Sequence, residues 1–420
     1  MKKLTALTLV LFIMLTACGP AATTTAPTAT TAPAVAAGPK EILLGSALPL
    51  TGGSSREGGL MKKGYDLAIK ELNDAGGITV KEFNRKLPLR LITYDDKTDN
   101  TTSVSLYEKL ATEDKVDAFL GGYSTPLVEA QTLVPGKYQI PYINGGGATG
   151  TIYGKGNKWI FGMLASIEKL SVTMMDWMEL QQDAGKLPKP SKISLLAENT
   201  SHGAEFSKGI NDRAKAKPDR FTVVVDEKFE INGKDFSPLI SKVKSANADL
   251  FLVDARQPDY TLMQRQYTEA GLYHKVVSYG PRGPEKAARD ALGAASDYLV
   301  AANWWSADMS DPASKDFTAK YKAAYANEAP EWYSALGYET ARVLFKAIEA
   351  AGSLDKTKVR DALAATNLTP SLVVGGVVKF KDNGQIDNPY IMTQNAPNQK
   401  VNLIFPKDLQ TGDAVVPLPK

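Results

Sequence analysis

The sequence predicts an α/β fold with two parallel sheets, each covered by helices and each in its own lobe. Three observations predict it. From Glu41 onward, short β-rich apolar runs alternate with amphipathic segments, and strand–helix alternation implies parallel sheets covered on both faces. A mature chain of about 400 residues is too large for a single core, which favours two domains. Finally, the polar, proline-marked stretch "KLPKPSK" separates an earlier group of strands from a later one.

The elements follow in chain order. The opening "MKKLTALTLVLFIMLTACGP" has two lysines, then an apolar and small-residue run from Leu4 to Ala17, then the only cysteine, Cys18. A bilayer core takes roughly 20 apolar residues, so this shorter run reads as a secretory signal over 1–17. Leu15-Thr16-Ala17-Cys18 resembles the lipobox of bacterial lipoproteins, where the leader is cut and the cysteine lipidated. Residues 18–40, built of Ala, Thr and Pro with no charge before Lys40, cannot bury apolar surface and read as an extended tether. Candidate strands then run Ile42 to Leu48, Leu89 to Tyr94, Ala118 to Leu120 and Tyr142-Ile143, the first sheet ending near Phe161. The second sheet takes Ile193 to Ala197, Phe221 to Val225, Leu250 to Val253, Val276 to Ser278 and Leu299 to Ala301. Helical patterns lie between them. In "GGLMKKGYDLAIKELNDAGGI", Leu60, Gly64, Ala68 and Leu72 recur every four residues and Gly76-Gly77 supplies the stop. After "YLVAANWW" come two helices, a shorter one, and a hairpin-like "GGVVKFKDNGQIDNPYIM" with its turn at Asp382-Asn383-Gly384. That block is too small for a third domain and is expected to complete the other two: 41–162 with 303–375 as lobe 1, and 163–302 with 376–410 as lobe 2.

Composition and motifs exclude several functions. The formal charge of +3 falls to +1 without Lys2 and Lys3, and such a surface argues against nucleic acid as partner. The two histidines, His202 and His274, show no HExxH or paired-ligand spacing, no GxSxG occurs, and the one thiol sits in the leader. No catalytic residue, metal or cofactor is therefore expected, and no enzyme. "GGGATG" fits GxGxxG at Gly145, Gly147 and Gly150, but it is not on the first strand-to-helix turn and no acidic residue ends the next strand. These glycines instead let the backbone approach a small ligand, whose carboxylate could take loop N–H groups. Open parallel sheets bind ligands beyond the carboxyl ends of their strands, so with two sheets facing each other the ligand belongs between them. Trp177 and Tyr338 sit at core spacing. Trp304 and Trp305, adjacent on an extended segment, point to opposite faces, which turns one toward the cleft or packs it at a hinge.

The ordered blocks "ALPLTG", "GYDLAIKELNDAGGI", "LITYDDKTD", "KLATEDKVDAFLGGYST", "IPYINGGGAT", "ISLLAENTSHGAEF", "DFSPLISKVKSANADLFLV" and "YSALGYETARVLFKAIEAAG" are similar to the type I solute-binding proteins of the leucine/isoleucine/valine-binding family. The resemblance spans nearly all of Lys40 to Phe405. It implies the type I periplasmic binding protein fold: two Rossmann-like α/β lobes with parallel sheets, joined by three crossing segments and closing on one small solute without chemistry. The family's carboxylate-holding loop falls on Tyr123, Ser124 and Thr125. The next loop, giving amides and a hydroxyl, falls on Gly146, Ala148 and Thr149; the family often has Ser or Thr where Ala148 stands. Elsewhere the chain departs from the pattern. Arg56 and Glu57 stand where amino-acid binders place an aromatic, His202 replaces the aromatic of the second-lobe turn, and Arg256 or Gln257 takes the ligand-facing place after "DLFLV". The loop that usually supplies an acidic partner for an α-ammonium is "GPRGP", with Arg282 there.

A guanidinium stays charged, and unit charges about 4 Å apart at an effective dielectric near 20 interact by roughly 4 kcal/mol. Arg282 facing an ammonium is thus unfavourable, whereas a carboxylate or carbonyl would be welcomed by its fork. The leading expectation is a carboxylate without a free α-ammonium: a dicarboxylate, keto acid or aromatic acid. A branched-chain or other amino acid is the alternative, its ammonium taken by Glu57 or Asp254. Arg282 turned outward onto Glu285, and Arg256 paired with Asp254 or Asp259, would remove both arginines from the site. The expected protein is a monomeric, lipid-anchored, extracytoplasmic receptor serving an ABC permease, on a cell surface or in a periplasm; a ligand-sensing module is the reading from another class.

Overall fold

A computed structural model describes residues 38–420, so the expected signal peptide, the lipidation at Cys18 and most of the tether lie outside the described residues. The first sheet begins with β1 (Ile42–Leu48), whose residues are almost all buried, as a strand covered on both faces requires. A small antiparallel ribbon follows, β2 (Ile78–Val80) and β3 (Arg85–Leu87), and then β4 (Leu89–Asp95), β5 (Ala118–Leu120), β6 (Tyr142–Asn144) and β7 (Ile160–Gly162). Side by side they run β4-β1-β5-β6-β7, all parallel.

The second sheet takes β8 (Ser191–Glu198), β9 (Phe221–Phe229), β10 (Leu250–Asp254), β11 (Val276–Ser278) and β12 (Val300–Asn303). A two-residue ribbon, β13 (Asn367–Leu368) with β14 (Val378–Lys379), precedes β15 (Ile391–Ala396) and β16 (Lys400–Phe405). The order is β16-β15-β12-β11-β10-β8-β9. Strands β8 to β12 are parallel, but β15 and β16 join antiparallel, so this sheet is mixed rather than wholly parallel as expected. Between β15 and β16, Asn398 and Gln399 take left-handed backbone (φ 62° and 61°) and turn the chain straight back into a hairpin. The turn expected at Asp382-Asn383-Gly384 does form, with Gly384 N–H donating to Lys381 O at 2.8 Å, but it closes only the single rung Phe380–Ile386.

The helices lock the sheets. Helix Ser55–Asp74 packs along helix Trp332–Ala351, and the two backbones come close where Gly64 and Gly337 meet. A Cβ on Gly64 would lie 2.2 Å from Ser334 O, and one on Gly337 would lie 2.4 Å from Met61 O. Trp177 and Tyr338 are buried packing residues; Tyr338 also donates its hydroxyl to Glu71 at 2.6 Å. Three segments pass between the sheets: after β7, after β12, and before β15. Buried Gln385, on the third, donates to Ala148 O (2.9 Å) and Leu164 O (3.0 Å), tying it to the first. Among the described residues, no helix is long and apolar enough to cross a membrane.

Candidate functional site

One cavity collects the carboxyl ends of strands from both sheets, the place where open parallel sheets bind their ligands. From the first sheet, the loop after β5 contributes Tyr123, Ser124 and Thr125, and the loop after β6 contributes Gly146 and Ala148. These two loops touch: Ala148 N–H donates to Thr125 Oγ1 at 3.4 Å, and a Cβ on Gly146 would fall 2.1 Å from Gly122 O. Glycine is what lets the backbones meet. From the second sheet come Glu198 at the end of β8, His202 at the start of the next helix, Arg256 after β10 and Arg282 after β11. Asn303 ends β12, and Trp304 follows it into the cavity. Trp305 turns the other way, donating its indole N–H to Ser314 Oγ at 2.9 Å and packing on Phe317.

Four predicted site residues lie outside this lining. Thr149 precedes the short helix Gly150–Tyr153, and its hydroxyl accepts from Thr151 at 3.1 Å. Gln257 donates to Thr261 Oγ1 at 3.1 Å. Arg56 donates from Nη2 to both carboxylate oxygens of Glu331 (2.5 and 2.6 Å), while its Nη1 reaches Glu57 (3.3 Å) and Glu285 (3.4 Å). Glu57, buried beside it, thus belongs to the same charged cluster.

Arg282 is neither turned outward nor free. It is 7% exposed, lines the cavity, donates to Tyr333 Oη and lies 3.4 Å from Glu285 Oε1. Tyr333 in turn donates to Glu285 Oε1 at 2.6 Å. Burial pushes the Glu285 carboxyl up to about 7, against the pull of Arg282 and Arg56. The guanidinium also sits 5.9 Å from the ring of Tyr123 and 5.7 Å from that of Trp332, within cation–π range.

On the facing loops, His202 Nδ1 is 2.7 Å from Asp254 Oδ2, and Arg256 Nε is 3.5 Å from Glu198 Oε2. Burial opposes a charge on His202, but Asp254 outweighs it and holds the imidazole above its ordinary value. Glu198, His202 and Asp254 could each turn one ligand atom toward a metal, these atoms lying within 4.8 Å of one another. Arg256 already brings positive charge to Glu198, so the group reads as a chain of ion pairs.

The cavity wall carries polar atoms that are buried and have no hydrogen-bond partner: Arg282 Nε, the indole nitrogens of Trp304 and Trp332, and both amide atoms of Asn303. Buried donors left unmet cost about 1–3 kcal/mol each, so such a set is expected to meet a ligand. Pro126, Leu164, Ile167, Leu170 and Tyr390 make the rest of the wall largely apolar. Sequence reasoning missed Glu198, Asn303 and Trp332. The first two end the runs "ISLLAE" and "YLVAAN", and inspecting the last residue of each strand would have found them; Trp332 opens a helix far along the chain and carries no such signal.

A family model described as "Periplasmic binding protein" matches residues 41–400. The chain is 26% identical over 379 residues to "Leu/Ile/Val-binding protein homolog 8" of Brucella abortus (strain 2308), covering 88% of this chain and 91% of that protein. Among solved structures, the leucine binding protein LivK of Thermotoga maritima is similar with a TM-score of 0.75 at 20% identity, covering 88% of this chain and 100% of that one. A solute binding protein of an ABC transporter from R. palustris, in complex with benzoate, is similar with a TM-score of 0.74 at 18% identity, covering 90% and 98%. At these identities the two structures speak to the fold.

Proposed function

The chain belongs to the periplasmic binding protein family, and on that premise we propose that it is the extracytoplasmic receptor of an ABC importer, anchored by a lipid on Cys18. It takes one small carboxylate-bearing solute between its lobes and hands it to a membrane permease, with no bond made or broken. The lobes close because the solute contacts both, and only contacts made in the closed state favour it.

The observation that carries this reading is the set of buried, partnerless N–H donors on Arg282, Trp304, Trp332 and Asn303. A carboxylate offers about four acceptor sites, enough to meet several such donors. An α-ammonium could meet none of them. The alternative cargo, an amino acid, is favoured by one feature: Glu198, 4% exposed in the lining, is an acid placed to receive an ammonium. Isothermal titration of the purified protein against benzoate, a keto acid, succinate, leucine and valine distinguishes the two. Binding of a non-amino carboxylate is expected; tight binding of leucine or valine alone would replace the first reading with the second. For the anchor, Cys18→Ala is expected to move the protein from the membrane fraction to the soluble one.

A further inference from the structure

Among the described residues, Asn303 is the one cavity-lining side chain whose donor and acceptor are both sealed from solvent and unmet. The residue is 1% exposed, and neither Nδ2 nor Oδ1 has a partner. It ends β12, where the backbone pairs with Ile391 of β15, so its position is fixed by the sheet. Asn303 also borders a wider groove that Trp305, Glu331 and Lys400 help to line. Both amide atoms are sealed from solvent, so leaving them unmet carries its full cost.

Resting on the carboxylate reading above, we infer that the cargo also carries a hydroxyl group, and that Asn303 is the residue that selects it. The argument is one of matching hydrogen-bond capacity. A carboxylate or ketone only accepts and would satisfy Nδ2 while stranding Oδ1. An ammonium only donates and would strand Nδ2. A hydroxyl both donates and accepts, so one small group meets both amide atoms. Sites built to hydrogen-bond a hydroxyl discriminate strongly against the analogue lacking it, because the site's own polar atoms are then left unpaired.

The test compares matched probes by isothermal titration: 4-hydroxybenzoate against benzoate, and 2-hydroxyisovalerate against isovalerate. The hydroxylated member of at least one pair is expected to bind about tenfold or more tightly than its partner. Asn303→Leu, similar in size and without polar atoms, should remove that preference; Asn303→Asp, which only accepts when ionised, should reduce it. Equal binding within both pairs by the unaltered protein would overturn the inference and leave the carboxylate reading standing. So would a preference that survives Asn303→Leu. Failure of all four carboxylates to bind, together with failure of the keto acid and succinate, would overturn both readings. Because the matched pairs are compared on the unaltered protein, the inference stands or falls even should Asn303→Leu not fold.

Discussion

Glu285 is a buried acid that touches two arginines and a tyrosine, and its behaviour with pH follows from that setting. Its folded value of about 7 lies above the usual range for a glutamate. A group raised in this way contributes stability that is fully present below the unfolded value and is lost as pH rises through 7. Unfolding by urea should therefore show stability falling between about pH 5 and 8 by on the order of 2–3 kcal/mol, and Glu285→Gln should flatten that fall; an unchanged slope would place the titration elsewhere. Arg282 calls for a careful choice of substitution. Arg282→Glu would set another carboxylate beside Glu285 and Glu57 and is expected to unfold the protein. Arg282→Met removes the charge while leaving Arg56 at 3.4 Å from Glu285, at a cost of roughly 3 kcal/mol by urea titration. The sequence showed that Arg282 stands on a loop at a strand's carboxyl end. It could not show Tyr333, a residue 51 positions later whose hydroxyl accepts from that guanidinium.

At the scale of elements, the crossing of helix Ser55–Asp74 with helix Trp332–Ala351 reverses the usual rule for glycine. Alanine in a helix interior is intrinsically better by roughly 0.5–1 kcal/mol. Gly59→Ala, with nothing within 4 Å of its new Cβ, should gain on that order in thermal or urea unfolding. Gly64→Ala, on the same helix, should instead lose roughly 1–3 kcal/mol, because its Cβ would meet the backbone of Ser334 and Tyr338 rather than a yielding side chain. A gain at both positions would mean the helices separate at little cost. Strands with a continuous apolar run, such as β1 and β10, were legible in the sequence, since burial on both faces writes itself into composition. β7, β15 and β16 were not: "IFG" is too short to stand out, and "IMTQNA" owes its place to β12, about 90 residues earlier, rather than to any periodicity of its own.

Across the whole molecule, closure and stability are linked. Any solute that binds the folded protein at 100 times its Kd adds about 2.7 kcal/mol to stability, so a thermal-shift screen should rank carboxylates in the same order as titration. Small-angle scattering should show a smaller radius of gyration with a bound solute than without; an unchanged radius would argue against hinged closure. The general placement of the cavity was legible because the rule for parallel sheets directs attention to strand ends. Its polarity was not, because whether a tryptophan N–H or an asparagine amide finds a partner depends on what three distant segments bring beside it. The arrangement of the five tryptophans has one practical consequence. Trp177 is sealed in the core, Trp305 is bound to Ser314 and Trp159 lies 4.8 Å beneath the Arg360 guanidinium, whereas Trp304 and Trp332 border the cavity with free indole N–H groups. The protein thus carries its own optical reporter: arrival of a solute should change the emission of two fluorophores and leave the other three as an internal reference, with no dye attached.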